Sequence, residues 1–177
     1  MAKLPKAYLD LADEPGPRIL IAGIATFGTK EWPGAANNPT ILSWAHEAGL
    51  GRDYRHDSIA WCGLWMAVVC VRASWEPVAQ PLWARNWAAW GRPADKPSLG
   101  DILVFARGTG GHVGVYVGED KAAFHVLGGN QSDAVTVTRI ARARLIAARR
   151  PDWRISQPAN VRPIIRRAAG SLSTNEA

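Results

Sequence analysis

Apolar residues recur with a helical period in the first half of the chain. This pattern predicts helices over about residues 17–27 and 41–48, and a more strongly apolar one over 59–73 whose apolar residues fill more than one face. Pro17 suits the first turn of the first helix, and glycines follow the ends of the first two. We therefore expect the third helix to be buried, with Cys62 in its first turn.

A tryptophan-rich segment follows this helix. Trp83, Trp87 and Trp90 are spaced as i, i+4 and i+7, which predicts that they share one face of a fourth helix. Gly91 would end that helix. At the other end of the helical half, residues 1–14 are expected to form a loose or partly helical lead.

The pattern changes to strict alternation after about residue 100, which is typical of β-strands. Glycine-rich turns separate the alternating segments. In the second of them, His112, Gly114 and Tyr116 share one face, and the valines between them share the other. The predicted strands lie at about residues 101–105, 112–117, 122–127, 134–140 and 145–148. Helices followed by an antiparallel meander of about five strands indicate an α+β domain.

Composition supports one folded domain with a basic tail. The chain has 177 residues, of which 47% are hydrophobic, enough to build a core. We expect the domain to cover residues 1–151, and residues 152–177 to form a basic, partly disordered extension. Most of the nine tryptophans are expected in the core, and a minority in a groove that binds substrate.

Charge and targeting signals restrict where the chain acts. The formal net charge is +6, and nine arginines but one acid lie between residues 139 and 167. This excess favours contact of the C-terminal arginines with an anionic envelope, and no specific nucleic acid is expected. The sequence has no secretory signal and no membrane-spanning stretch, so we expect synthesis in the cytoplasm and action in the cell wall after release or delivery.

The two cysteines differ in their chemical setting. If Cys62 and Cys70 lie on one helix, they are roughly 12 Å apart along its axis, too far for a disulfide. Cys70 is predicted to be an inert core residue. Cys62 stands at a helix N-terminus, whose partial positive charge and free N–H groups lower the pKa of a thiol and can hold an oxyanion. Cys62 is therefore the candidate nucleophile.

A nucleophilic thiol needs a base, and the base needs an orienting group. His112 begins a strand directly after a glycine-rich turn, on a face left uncrowded by Gly114. Asn130 follows Gly128 and Gly129 at the end of the next strand, and its side-chain carbonyl could accept the second imidazole N–H. Cys62, His112 and Asn130 are thus the predicted catalytic residues.

Four segments together resemble the papain-like NlpC and CHAP peptidoglycan hydrolases, most closely a small phage-associated branch. The resemblance covers about residues 18–151. The segments are Asp57-Ser-Ile-Ala-Trp-Cys62-Gly, Gly100-Asp-Ile-Leu-Val-Phe105, Gly111-His-Val-Gly-Val-Tyr116 and Leu127-Gly-Gly-Asn-Gln-Ser132. The upstream run from Phe27 to Glu31, with Asn37-Asn-Pro39, is also similar to that branch.

The resemblance implies a papain-like fold and a Cys-His-Asn thiol mechanism through an acyl-enzyme. The expected reaction is hydrolysis of an amide in peptidoglycan, as endopeptidase or N-acetylmuramoyl-L-alanine amidase, by a phage endolysin acting as a monomer without metal or cofactor. One departure concerns the third member: many CHAP proteins carry an acid shortly before the asparagine, where this chain has Gly128 and Gly129. His125 is the substitute candidate.

Four further residues are candidates for the substrate cleft: Asp57, Trp61, Glu31 and Gln131. For Asp57, capping of the catalytic helix is the favoured role, and Trp61 is expected to wall the cleft beside the nucleophile. Glu31 is the lone acid in a loop rich in glycine and proline.

Three other functions stay open at this point. Glu31 could serve a muramidase or lytic transglycosylase. A zinc amidase is disfavoured because the four histidines show no HExxH spacing. Finally, the arginine-rich part could belong to a non-enzymatic domain that binds nucleic acid or envelope, with Cys62 as a core residue.

Overall fold

Helices occupy the first half of the chain and strands the second in the computed structural model, which describes residues 3–153, 156–168 and 170–174. The α-helices are α1 (Arg18–Ile24), α2 (Pro39–Glu47) and α3 (Cys62–Arg72). Short 3-10 helices cover Lys6–Asp13, Ala84–Ala89 and Arg142–Arg144. The strands are β1 (Arg92–Pro93), β2 (Ile102–Arg107), β3 (Gly110–Glu119), β4 (Ala123–Gly128), β5 (Thr136–Ala141) and β6 (Leu145–Arg150).

The strands form one antiparallel sheet in the order β1-β6-β2-β3-β4-β5. The predicted α+β class is therefore confirmed, with one strand more than expected. The additional strand is β1, whose two residues pair with Arg149 and Arg150 of β6. It is too short to produce an alternating pattern in the sequence.

The sheet has two buried faces with separate hydrophobic clusters. On one face, Val113, Val115 and Val117 of β3 pack against the helices. On the other, Tyr116 packs with Phe105 and its neighbours. The valines and Tyr116 thus point to opposite faces, as predicted for β3. We call these the helix face and the outer face.

α3 is buried from Cys62 through Cys70, as its apolar composition predicts. It packs against α1, α2 and β3, so no side of this stretch is left for water. Both cysteines are free thiols, which confirms that they do not form a disulfide. The helix begins at Cys62, three residues later than the predicted start at Ile59.

The tryptophan segment differs from its prediction. Ala84–Ala89 is a 3-10 helix, in which residues three apart align, so Trp87 and Trp90 share a buried side. Trp83 is 71% exposed and does not share it. The expectation of one common face for three tryptophans is wrong because it assumed 3.6 residues per turn.

The C-terminal segment lies against the sheet. Ile165 forms a parallel bridge with Glu119, and Leu172 forms one with Arg139. Part of the predicted extension over residues 152–177 is therefore ordered against the sheet. Residues 175–177 and Arg154, which belong to the predicted basic tail, lie outside the described residues.

Many of the C-terminal arginines bind groups within the chain. Arg139 binds the buried Asp120 carboxylate at 2.7 Å, and Arg150 binds Asp101 at 2.8 Å. Arg166 reaches the Val117 carbonyl at 2.7 Å. The basic excess that predicted an envelope-binding surface is thus partly used in intramolecular pairs. None of the helices in the described ranges is long and apolar enough to span a lipid bilayer.

Candidate active site

Cys62 is the first residue of α3 and is 4% exposed, so its sulfur lies at the buried head of the helix. This agrees with its predicted place in the first turn. The next residue must be glycine, because a Cβ at Gly63 would lie 2.3 Å from the Pro81 carbonyl oxygen and 2.7 Å from that of Leu82. The backbone of the 81–82 segment therefore packs directly on the N-terminal end of α3.

The sulfur of Cys62 accepts a hydrogen bond from the backbone N–H of Val113 in β3. The Tyr116 N–H points to the β2 side, where it donates to the Asp101 carbonyl at 2.8 Å. Successive N–H groups of a strand point to opposite sides, so the Val113 N–H points towards β4. The β3–β4 ladder starts only at Val115, opposite Leu127. The sulfur therefore lies beside β3 where its pairing with β4 has ended.

His112 precedes Val113 and is fully buried. It stands opposite Phe105 in the β2–β3 register, and Phe105 belongs to the outer face. The ring extends towards the end of β4, since a Cβ at Gly128 would lie 3.1 Å from its Nε2 atom. Cys62 and His112 thus come from opposite faces of the sheet, and both approach the place where β4 ends.

Gln131 fixes the imidazole. Its Oε1 lies 3.1 Å from His112 Nε2, and its Nε2 donates to the carbonyl oxygens of Val126 (3.2 Å) and Thr136 (2.6 Å). Because carbonyls only accept, these two bonds fix which end of the amide carries the oxygen. Thr138 also donates to that oxygen at 2.9 Å. Because Gln131 Oε1 can only accept, a neutral His112 must carry its proton on Nε2. The lone pair of the ring is then on Nδ1.

Asn130 does not take the place predicted for it. Its φ of 55° turns the chain, and its Oδ1 is buried without a hydrogen-bond partner among the described residues. The imidazole contact belongs to Gln131, so the assignment of Asn130 as orienting residue is wrong. The substitute His125 is engaged elsewhere, with the Tyr8 hydroxyl at 2.7 Å and Asp120 at 2.8 Å from its ring nitrogens.

Burial raises the pKa of the Cys62 thiol above its ordinary value. The Val113 N–H, the charge of Arg107 and the N–H groups of Gly63 and Cys62 itself oppose this increase without cancelling it. The expectation that the helix N-terminus would make a low-pKa thiol is therefore wrong: the favourable N–H groups are present, but desolvation is larger. A thiol of this kind needs a base to take its proton as it attacks.

The Asp57 carboxylate binds backbone N–H groups of a loop and does not cap α3. Its carboxylate accepts from the backbone N–H groups of Trp32 (3.2 Å) and Asn38 (2.7 Å). The residue before the helix is Trp61, which makes no side-chain cap. The predicted helix-capping role of Asp57 is wrong, because its carboxylate is bonded to the loop N–H groups of Trp32 and Asn38 and not to α3.

Trp61 is fully buried and does not wall an open cleft as predicted. Its indole N–H donates to Glu31 at 3.1 Å, and its ring packs on Trp44 at 6.1 Å between centroids. Glu31 is partly exposed and lines a pocket of about 180 Å³ with Asp133 and Trp32. Desolvation raises the pKa of Glu31, although the Trp61 hydrogen bond opposes the rise.

Arg107 was not recognised from the sequence. It ends β2, two residues beyond Phe105, and its Nη1 is buried without a hydrogen-bond partner among the described residues. The only sequence feature that could have pointed to Arg107 is its place at the end of an alternating apolar run. Many surface strands also end in an arginine. As to metals, no group of three or more histidine, cysteine or acidic side chains within the described ranges is arranged to hold an ion.

Comparison of the sequence with models of known protein families gave no match, and no curated protein matches it either.

Proposed function

We propose that this chain is a papain-like thiol hydrolase that cleaves amide bonds in the peptide part of bacterial cell wall. Cys62 is the nucleophile, His112 the general base, and Gln131 the residue that orients the base. The observation that carries this proposal is the hydrogen bond from the Val113 N–H to the Cys62 sulfur, because it brings the thiol to the backbone unit that follows His112.

The protonation pattern of His112 supports its role as base. Gln131 requires the proton on Nε2, so Nδ1 is the nitrogen that can accept one. The buried thiol holds its proton at rest, since burial raises its pKa. Transfer of this proton to Nδ1 during attack gives a thiolate only when a carbonyl is present to receive it.

The reaction then follows from the groups present. The sulfur adds to the amide carbonyl as His112 takes the thiol proton, and the Cys62 N–H at the helix head donates to the oxyanion. His112 returns the proton to the nitrogen as the C–N bond breaks, which releases the amine and leaves a thioester. Water, deprotonated by His112, cleaves the thioester and restores the thiol.

The substrate class rests on the resemblance of four segments to NlpC and CHAP hydrolases. The resemblance favours a stem-peptide endopeptidase or an N-acetylmuramoyl-L-alanine amidase. Two alternatives are kept as outcomes of the test: a glycosidase that uses Glu31, whose pKa is raised by desolvation, and a binding domain without activity.

Digestion of purified peptidoglycan tests the proposal. We expect new amino groups without new reducing ends, and loss of this activity in Cys62→Ala and His112→Ala. Cys70→Ala is the matched control, since Cys70 is a second buried thiol of the same helix, and it should stay active. New reducing ends that survive Cys62→Ala would support the glycosidase, and no released groups of either kind would contradict any hydrolase.

A further inference from the structure

Arg107 lies beside the candidate catalytic histidine. It alternates with Phe105 along β2, so both point to the outer face, and Phe105 stands opposite His112. Arg107 itself stands opposite Gly110, which makes it the diagonal neighbour of His112 on that face. The side chain of Arg107 therefore starts from the strand end, one diagonal position from His112.

One end of this guanidinium has no hydrogen-bond partner in the part of the chain that the structure describes. Its Nη1 is buried and makes no hydrogen bond to any described residue. An unpaired buried donor is costly, and a charged one more so, which is why such groups are rare in folded proteins. A ligand that accepts from this nitrogen would remove the cost.

Two other arginines show that the chain satisfies such groups elsewhere. The guanidinium of Arg85, from the Ala84–Ala89 helix, donates to two carbonyls of the β2–β3 turn, those of Gly110 at 2.7 Å and Gly108 at 3.4 Å. Arg150 binds the Asp101 carboxylate with two nitrogens at 2.8 Å each. Arg107 differs from both because the acceptor at its Nη1 is missing from the described chain.

The guanidinium acts on the reacting sulfur. Among the influences on the Cys62 thiol, where burial dominates and raises the pKa, the charge of Arg107 lowers it. A group bound to Arg107 would consequently lie on the outer face, next to the strand position of His112. The oxyanion of the reaction already has the N–H at the head of α3, so Arg107 is available for a different negative group.

We propose that Arg107 binds a carboxylate of the substrate next to the amide that Cys62 attacks. The planar fork of a guanidinium matches a carboxylate and forms charge-assisted hydrogen bonds with it. The inference rests on the proposed function and narrows it: the preferred substrates are peptides with a free carboxylate beside the scissile amide. Amides without that carboxylate should bind poorly.

Two alkylating reagents test this without any substrate. Iodoacetate and iodoacetamide both place a CH₂ group on sulfur with loss of iodide, and they differ only in a carboxylate against a neutral amide. The ratio of their rates at one sulfur cancels changes in the thiolate fraction. Mass spectrometry of the peptide that contains Cys62 separates its reaction from that of Cys70.

In the wild-type protein we expect iodoacetate to alkylate Cys62 faster, relative to iodoacetamide, than it alkylates free cysteine. Arg107→Gln should lower this relative preference by about tenfold, the equivalent of one charge-assisted hydrogen bond. Arg107→Lys, which keeps a point charge and the chain length, should give an intermediate ratio. Arg162→Gln is the control, because Arg162 is exposed and its side chain donates to the Asn160 carbonyl, with no other side-chain bond among the described residues.

A wild-type ratio equal to that of free cysteine would overturn the inference, whatever the variants do. So would a preference for iodoacetate that persists in Arg107→Gln. The proposed hydrolase activity is read separately: wild-type protein should cleave peptidoglycan with free stem carboxylates at a lower KM than the same material after amidation, and Arg107→Gln should lose this difference. Cleavage of peptidoglycan without an Arg107-dependent ratio of alkylation rates would refute only the carboxylate site. An Arg107-dependent ratio without cleavage would refute only the hydrolase activity.

Discussion

Exchange of Gln131 for methionine separates the two candidates for the orienting residue. Methionine has nearly the same length and no polar atom at its end, so Gln131→Met removes the contact to His112 Nε2 and three structural bonds, to Val126, Thr136 and Thr138. At about 1 kcal/mol net for each structural bond, the free energy of unfolding should fall by roughly 3 kcal/mol.

The activity should fall further than the stability explains. Without Gln131 the oxygen that selects the Nε2-protonated tautomer is lost, and the ring is held less firmly in its position. A displaced catalytic group of this kind reduces kcat by about 100-fold. Release of amino groups from peptidoglycan measures the rate, and urea unfolding followed by tryptophan fluorescence measures the stability. Rates are compared at urea-free conditions where each variant is folded.

Asn130→Gly is the matched control. Asn130 adopts a φ of 55°, which glycine adopts at no cost, and its side-chain oxygen has no hydrogen-bond partner among the described residues. We expect unchanged or slightly higher stability and nearly full activity. Activity that disappears in Asn130→Gly but survives in Gln131→Met would refute the assignment and restore the asparagine.

Four further changes test other parts of the structure. Gly63→Ala should lower the free energy of unfolding by about 1–3 kcal/mol in urea denaturation, since its Cβ would meet backbone carbonyls that cannot move aside freely; an unchanged midpoint would contradict this packing. Asp120→Ala should cost about 3–5 kcal/mol, because it leaves a buried arginine without its carboxylate. Burial lowers the pKa of His125, so the unfolded chain binds that proton more readily; stability should be full above about pH 6.5 and decline below it, and His125→Gln should reduce the decline. Glu31→Gln should keep the amide-cleaving activity and cost about 1 kcal/mol through its weakened bond to Trp61; complete inactivation would favour the glycosidase.

The elements that the sequence predicted are those with a local pattern. The period-2 segments and the apolar helix at 59–73 both depend on neighbouring residues, and they appear within a few positions of their predicted bounds. β1 and the bridge of Leu172 were missed because they depend on one or two pairings with residues far away in the sequence: Arg149 and Arg150 for β1, and Arg139 for Leu172. Two paired residues carry no periodicity that a pattern could reveal.

The site divides in the same way. Cys62 at a helix start and His112 at a strand start follow from local signals. The choice between Asn130 and Gln131 does not, because adjacent residues in a turn point in different directions, and backbone angles decide which one faces the imidazole. The positive φ at Asn130 decides which of the two side chains faces the imidazole. The sequence pattern does not reveal this angle.

The glycines before Asn130 explain why β4 ends before it can pair with β3 at Val113. A continuing β4 would pair with β3 at Val113 and fill the place of the sulfur. At Gly128 a Cβ would lie 2.9 Å from Gln131 Oε1 and 3.1 Å from His112 Nε2, and at Gly129 it would lie 2.5 Å from the Cβ of Trp65. An acid at Gly128 would therefore occupy the space of the imidazole and its partner instead of assisting them. The glycine pair that looked like the loss of a catalytic acid thus has a structural reason: the strand ends there, the turn packs on α3, and the amide one residue beyond Asn130 takes over the orienting contact.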